Sequence, residues 1–319
     1  MDSDTAVTSK DKRAELEHYR AQIEHKVMSK GLTIPKIITS CAHYFRVSVI
    51  GTCNLHCAFC HNEGAPTAFA LSTGLADAAF EAASEIGFTR LQITGGEPTM
   101  RRDLIQFVSI GSKYFADVGI TTNGTRLTPS MITGLASAGL TRVHLSMQLE
   151  SLVIDNYYSG IPAWLMTVAE TCKSSNILLR INLPVVMSAF DSCAQAASDL
   201  SANGCALKLF AVLPHRSPVD KADAFRRLLE LKDEIDTQGT GRKVDQITVR
   251  GYTEPAGFRC PSCPDFQRCT EQSRSLRLGA DAVLRPCLAS RKWDIPTTTS
   301  SIREDIRLAT LLSLDYFLL

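Results

Sequence analysis

From Tyr44 onward, short apolar runs alternate with stretches of helical composition: FRVSVIG, RLQITGG, VGITTNG, RVHLSMQ, LLRINLPVV and ALKLFAVL are each followed by one. Six strand-helix units in succession imply a parallel sheet with right-handed crossovers, because a run of apolar strands needs helices to cover its faces. Two architectures suit this order, an open doubly wound sheet and a curved, incomplete (β/α)6 barrel of the TIM type. In both, ligands bind beyond the C-terminal ends of the strands.

Polar and chemically active residues gather at those ends. Thr52 and three cysteines follow the first strand, GGEP follows the second and TTNG the third, while Ser146 and Asn182 lie in the fourth and fifth. Before the series, Leu16, Tyr19, Ile23 and Val27 recur at helical spacing, which predicts an amphipathic helix packed on the outside of the body. After residue 240 the pattern breaks into QITVRGYTE, a cysteine-rich loop and LRLGADAVLRPCL, which reads as a short hairpin. The expected organisation is therefore an N-terminal helical extension over residues 1–40, a catalytic body over 41–240, and a small cysteine-rich C-terminal subdomain over 241–319.

Composition narrows the function. Basic and acidic side chains number 34 and 33 and are well mixed, so the net charge of +1 gives no field for a nucleic acid or an anionic membrane. The N-terminal segment is charged throughout, unlike a signal peptide, and no apolar run nears the roughly 18 residues that span a bilayer. A soluble, cytoplasmic protein without nucleic-acid or membrane partners is expected. Seven of the 11 cysteines fall in two clusters, which in a reducing compartment favours ligation over disulfides. Cys41, Cys172, Cys193 and Cys205 are scattered and expected as buried thiols.

The first cluster, Cys53, Cys57 and Cys60 in CNLHCAFC, has the spacing C-x3-C-x2-C. Three thiolates can hold three irons of a cubane cluster and leave the fourth open. Zinc is the alternative reading; a structural zinc site is closed by four protein ligands, so His56 or His61 would complete it. In GGEP, Gly95 and Gly96 let backbone approach a ligand closely, and Glu97, followed by Pro98, supplies a carboxylate for a cationic group.

The cysteine triplet at the end of a first strand, with Phe59 before its last cysteine and GGEP one unit later, resembles the radical S-adenosylmethionine superfamily. The resemblance implies that Cys53, Cys57 and Cys60 hold a [4Fe-4S] cluster and that the methionine end of the cofactor chelates the open iron. Reductive cleavage then yields a 5′-deoxyadenosyl radical, which takes a hydrogen atom from substrate. It further implies that Glu97 meets the methionine ammonium, that Thr122, Asn123 and Ser146 line the cofactor or substrate, and that a flavodoxin- or ferredoxin-type protein supplies the electron.

CNLHCAFCHNEG, TGGEPTMRRDL, GITTNG, AGLTRVHLSM and LRLGADAVLRPCL together resemble the GTP 3′,8-cyclase branch, whose members fold as incomplete barrels and carry a second, C-terminal [4Fe-4S] cluster. Cys260, Cys263, Cys269 and Cys287, spaced C-x2-C-x5-C-x17-C, are the corresponding candidates here; a zinc site is the alternative. Arg46, Arg180 and Arg277 match or stand near basic substrate contacts of that branch, and Arg101 is a further candidate anion contact. Three features depart from it. Gln92 stands where the branch has arginine, and an amide cannot fork onto phosphate as a guanidinium does. Ser273 and Ser275 fall in a stretch where the branch has one cysteine and one arginine that are missing here, and the chain ends LLSLDYFLL rather than in Gly-Gly. The reading is a lyase- or oxidoreductase-type radical enzyme acting on a small nucleotide-like or sugar-like molecule; alternatives are a peptide-modifying radical enzyme and an authentic GTP cyclase.

Overall fold

The computed structural model describes residues 9–31, 33, 44–57, 68–147, 153–154, 157–212, 221–237, 244–249, 275–286 and 294–314. Its strands are β1 (Tyr44–Ser48), β2 (Arg90–Thr94), β3 (Asp117–Thr122), β4 (Arg142–Ser146), β5 (Val153–Ile154), β6 (Tyr157–Tyr158), β7 (Leu178–Val186), β8 (Ala206–Val212), β9 (Val244–Val249), β10 (Ser275–Leu278), β11 (Val283–Arg285) and β12 (Ile295–Pro296). Its helices are α1 (Ser9–Ser29), α2 (Thr73–Ile86), α3 (Leu104–Ser112), α4 (Pro129–Ser137), α5 (Ala163–Ser174), α6 (Phe190–Ala202), α7 (Lys221–Thr237) and α8 (Ile302–Leu314).

One sheet runs in the order β12-β11-β10-β1-β2-β3-β4-β7-β8-β9, and β5 pairs with β6 in a separate ribbon. Pairing is parallel from β10 through β9 and antiparallel among β10, β11 and β12. All six strands expected from the sequence form, each followed by a helix. The described sheet is open, with β12 and β9 as its edges.

Helix boundaries follow local chemistry. Ser72 caps α2, its hydroxyl accepting from the Leu75 amide at 3.2 Å, and the chain leaves that helix through Gly87 at φ 114°, a conformation that carries a penalty for any side chain. Thr128 caps α4 in the same way, ahead of Pro129 at the first helical position.

Alternation along the strands sorts their side chains. Phe45 and Val47, Leu91 and Ile93, Val118 and Ile120, Val143 and Leu145, and Leu179 and Ile181 are buried as one apolar core that includes Phe80 and Phe107 from the helices. Phe45 meets Phe80 edge to face at 6.5 Å between ring centroids. The intervening positions are Arg46, Gln92, Thr121, His144, Arg180 and Lys208, so the opposite face of the same sheet is polar.

The C-terminal region differs from the sequence expectation. The described strands beyond residue 240 do not stand apart: β9 extends one side of the sheet, and β10 pairs in parallel with β1, Arg277 opposite Arg46. All four residues of β10 are buried, as suits an interior strand. The predicted hairpin is β10–β11, with Leu278 opposite Leu284 and Asp281 bound to Arg285 through two hydrogen bonds. Helix α1 packs against α8, burying Ile23 and Val27, and Arg20 pairs with Glu304 and Arg307 with Glu24 across that contact. None of the described helices is long and apolar enough to cross a membrane.

Candidate active site

The loops after β1 and β2 are zipped together by backbone hydrogen bonds. Gly96 N–H donates to Ile50 C=O at 2.6 Å and Glu97 N–H to Thr52 C=O at 2.9 Å. A Cβ on Gly95 would sit 2.5 Å from the Ile50 carbonyl oxygen, and one on Gly96 2.2 Å from that of Thr52. The two glycines therefore admit the backbone of the cysteine loop, a role the sequence reading had given to a ligand. Arg101, expected as an anion contact, braces the same junction: it donates to the carbonyls of Val49 and Leu71 at 2.7 Å each and forks onto Asp103. Its guanidinium holds the Asp103 carboxyl below the usual range, and the arrangement leaves Arg101 committed to structure.

Glu97 lies at the centre of this junction, 1% exposed. Its Oε1 accepts from the Thr99 amide at 3.0 Å, from the Thr99 hydroxyl, and from the Thr122 hydroxyl at 2.7 Å. Its Oε2 accepts from the Asn123 amide at 2.7 Å. These donors satisfy the buried carboxyl group, and Oε2 retains capacity for a further one, so the site fits a cationic group. Pro98 opens the short 3₁₀ turn that Glu97 caps.

The third loop closes over the first. Asn123 Nδ2 donates to Asn54 Oδ1 at 3.0 Å, Asn54 Nδ2 donates to Thr125 Oγ1 at 2.8 Å, and Asn123 Nδ2 lies 3.9 Å from Cys53 Sγ. Cys53 Sγ also accepts from the Leu55 amide at 3.4 Å. Cys53 and Cys57 are half-buried and in no disulfide, whereas His56 between them is exposed, which favours the thiols over that imidazole as an inward-facing ligand set. Cys60, Phe59 and His61 lie outside the described residues, as do Cys260, Cys263, Cys269, Cys287 and Ser273 of the C-terminal candidates.

Below these loops, the polar face of the sheet carries the remaining candidates. Ser146 stands opposite Asn182 and accepts from its Nδ2 at 3.3 Å. Gln92 is 1% exposed, donates to Thr121 Oγ1 at 3.0 Å and accepts from Arg142 Nη1 at 3.2 Å. Arg46 sits in register between Gln92 and Arg277, and Arg180 beside His144. Gly119 makes room: a Cβ there would lie 2.6 Å from Gln92 Oε1 and 3.1 Å from Arg142 Cζ.

Residues 47–151, which carry the cysteine loop, GGEP, TTNG and Ser146, match the radical SAM superfamily. The chain carries a radical SAM domain. This radical SAM protein is 28% identical over 284 residues to the probable GTP 3′,8-cyclase of Methanothermobacter thermautotrophicus, covering 82% of its own chain and 88% of the relative. It is likewise 28% identical over 298 residues to the GTP 3′,8-cyclase of Thermodesulfovibrio yellowstonii, with coverages of 82% and 89%. Among solved structures, Streptococcus suis SuiB bound to S-adenosylmethionine superposes with a TM-score of 0.58 at 17% identity, over 77% of this chain and 60% of SuiB. That likeness concerns the fold, an α/β body with a mainly parallel sheet. Membership implies a [4Fe-4S] cluster and S-adenosylmethionine, and Cys53, Cys57 and the remaining capacity of Glu97 are compatible with them.

Three residues of the polar face, Arg142, His144 and Lys208, escaped the sequence reading. Their signal was present: in RVHLS and ALKLF each basic residue alternates with apolar ones, as lumen- or cleft-facing positions of a two-sided strand do.

Proposed function

We propose that this radical SAM enzyme abstracts hydrogen from a small anionic metabolite, nucleotide-like or sugar-like, held on the polar face of an incomplete (β/α)6 barrel. The carrying observation is the interlocked trio of loops, in which Glu97 gathers Thr99, Thr122 and Asn123 while Asn123 and Asn54 tie the third loop to the cysteine loop. A [4Fe-4S] cluster on Cys53, Cys57 and Cys60 would supply the electron that cleaves the cofactor. The protein's part is positional. Glu97 receives the ammonium of the bound amino acid, Asn123 and Ser146 orient the cofactor, and the basic face below holds the substrate against it. Arg46, Arg180 and Arg277 are the proposed anion contacts, with Gln92 marking a substrate contact changed from that of the cyclases.

Cys260, Cys263, Cys269 and Cys287 are proposed as ligands of an auxiliary [4Fe-4S] cluster, and a flavodoxin- or ferredoxin-type protein as the reductant in a cytoplasmic setting. The coverage of cyclases along most of their length favours a small-molecule substrate. The second reading, a peptide substrate, draws on SuiB, which has been solved with its precursor peptide SuiA.

The test is anaerobic reconstitution with iron and sulfide, followed by dithionite and S-adenosylmethionine and an assay for 5′-deoxyadenosine. Product from the native chain and none from Cys57→Ala is expected; no product from well-loaded native protein overturns the proposal. Conversion of GTP to its cyclised product would assign the cyclase activity itself.

A further inference from the structure

We propose that His144 is a substrate-facing hydrogen-bond donor, its imidazole fixed by Arg142 with Nε2 as acceptor so that Nδ1–H meets an oxyanion oxygen of the substrate. This deepens the function proposed above and rests on it only for placing the substrate over the polar face.

Arg142 Nη1 lies 3.3 Å from His144 Nε2. A guanidinium can only donate, so in a neutral ring Nε2 must accept and the proton must sit on Nδ1. Arg142 is itself anchored: its Nε pairs with Asp117 and its Nη1 also reaches Gln92 Oε1 at 3.2 Å. The tautomer is thus imposed by a side chain that is 9% exposed and bound from two neighbouring strands.

Among the described residues, Nδ1 has no hydrogen-bond partner, and His144 keeps some exposure, though most of it is covered, while Val143 and Leu145 on either side are fully buried. A strand in the middle of a ten-stranded sheet whose His144 and Ser146 both stay partly exposed has solvent access on that face, and here the unpartnered ring atom is a donor. The surroundings suit an anion. His144 is held well below its ordinary pKa first by burial, then by Arg180 from β7, Arg142 from its own strand, Arg46 from β1 and Lys208 from β8. Arg46, Arg180 and Lys208 occupy positions on the same polar face of the sheet as His144. Thr121, beside His144 in register, adds a hydroxyl. A neutral imidazole can donate to an oxyanion there without adding a further positive charge.

The test uses full-length, cluster-reconstituted protein labelled with 15N-histidine. Of the seven histidine signals, that of His144 is assigned by its loss in His144→Gln or, should that variant not fold, in His144→Asn. The expected result at neutral pH is the Nδ1–H tautomer, with a signal that moves on adding pyrophosphate, citrate or both, which separates phosphate from carboxylate recognition. An Nε2–H or doubly protonated ring, or a signal indifferent to both anions, overturns the proposal. His144→Leu should bind the effective anion about tenfold more weakly, the loss of one hydrogen bond to a charged group, and His144→Gln should recover part of it through its amide N–H. Unchanged affinity in His144→Leu also counts against it. Because none of these readouts involves cofactor cleavage, a response from protein that forms no 5′-deoxyadenosine would refute the radical function and leave the anion site standing.

Discussion

At the scale of single residues, the site is governed by close approach more than by charge. Gly96 shows this most directly: its would-be Cβ meets backbone, which cannot swing aside as a flexible side chain can. Gly96→Ala should destabilise the chain by about 1–3 kcal/mol, read as a lowered urea midpoint, and should lower iron loading because the cysteine loop is displaced. Thr122 offers a contrast. Thr122→Val conserves volume but removes the hydroxyl that donates to Glu97 and accepts from the Gly124 amide at 3.1 Å. A loss of about 1–3 kcal/mol is expected for leaving those buried partners unsatisfied, together with weaker S-adenosylmethionine binding measured by equilibrium dialysis.

At the scale of elements, the six strand-helix units were legible because strand and helix periods differ and each strand end carries turn chemistry. Less legible was the meeting of elements distant in sequence. LRLGADAVLRPCL announced a hairpin, yet nothing local says that SLRL will lie against FRVS, since parallel pairing is chosen by burial on both faces and not by a turn. The same holds for α1, whose apolar spacing was visible while its partner was not. The contact between α1 and α8 mixes one buried isoleucine with half-exposed ion pairs, and magnitudes decide between them. Ile23→Ala should cost about 2–5 kcal/mol, whereas Arg307→Ala should cost less than about 1 kcal/mol, because its partner Glu24 is also solvated. Thermal unfolding of the two variants checks the ranking; an equal effect would mean the ion pairs carry the contact.

For the whole molecule, the polar face imposes a pH dependence. A histidine held well below its ordinary value of 6.5 binds no proton in the folded state where the unfolded chain does. Its contribution is therefore complete above pH 6.5 and erodes as pH falls toward the folded-state value, at up to about 1.4 kcal/mol per pH unit. Urea unfolding from neutral pH down to about pH 5 should show a shallower slope in His144→Gln than in the native chain; parallel slopes would show that the ring is charged in both states.

The pairing of β1 with β10 also sets an order of assembly on the ribosome. β1 and the cysteine loop emerge early, but the strand that covers the outer side of β1 is made only after residue 275. Until then β1 is a bare sheet edge beside the thiols meant for iron, so the segment that carries them waits, uncovered on that side, for a strand made near the end of the chain.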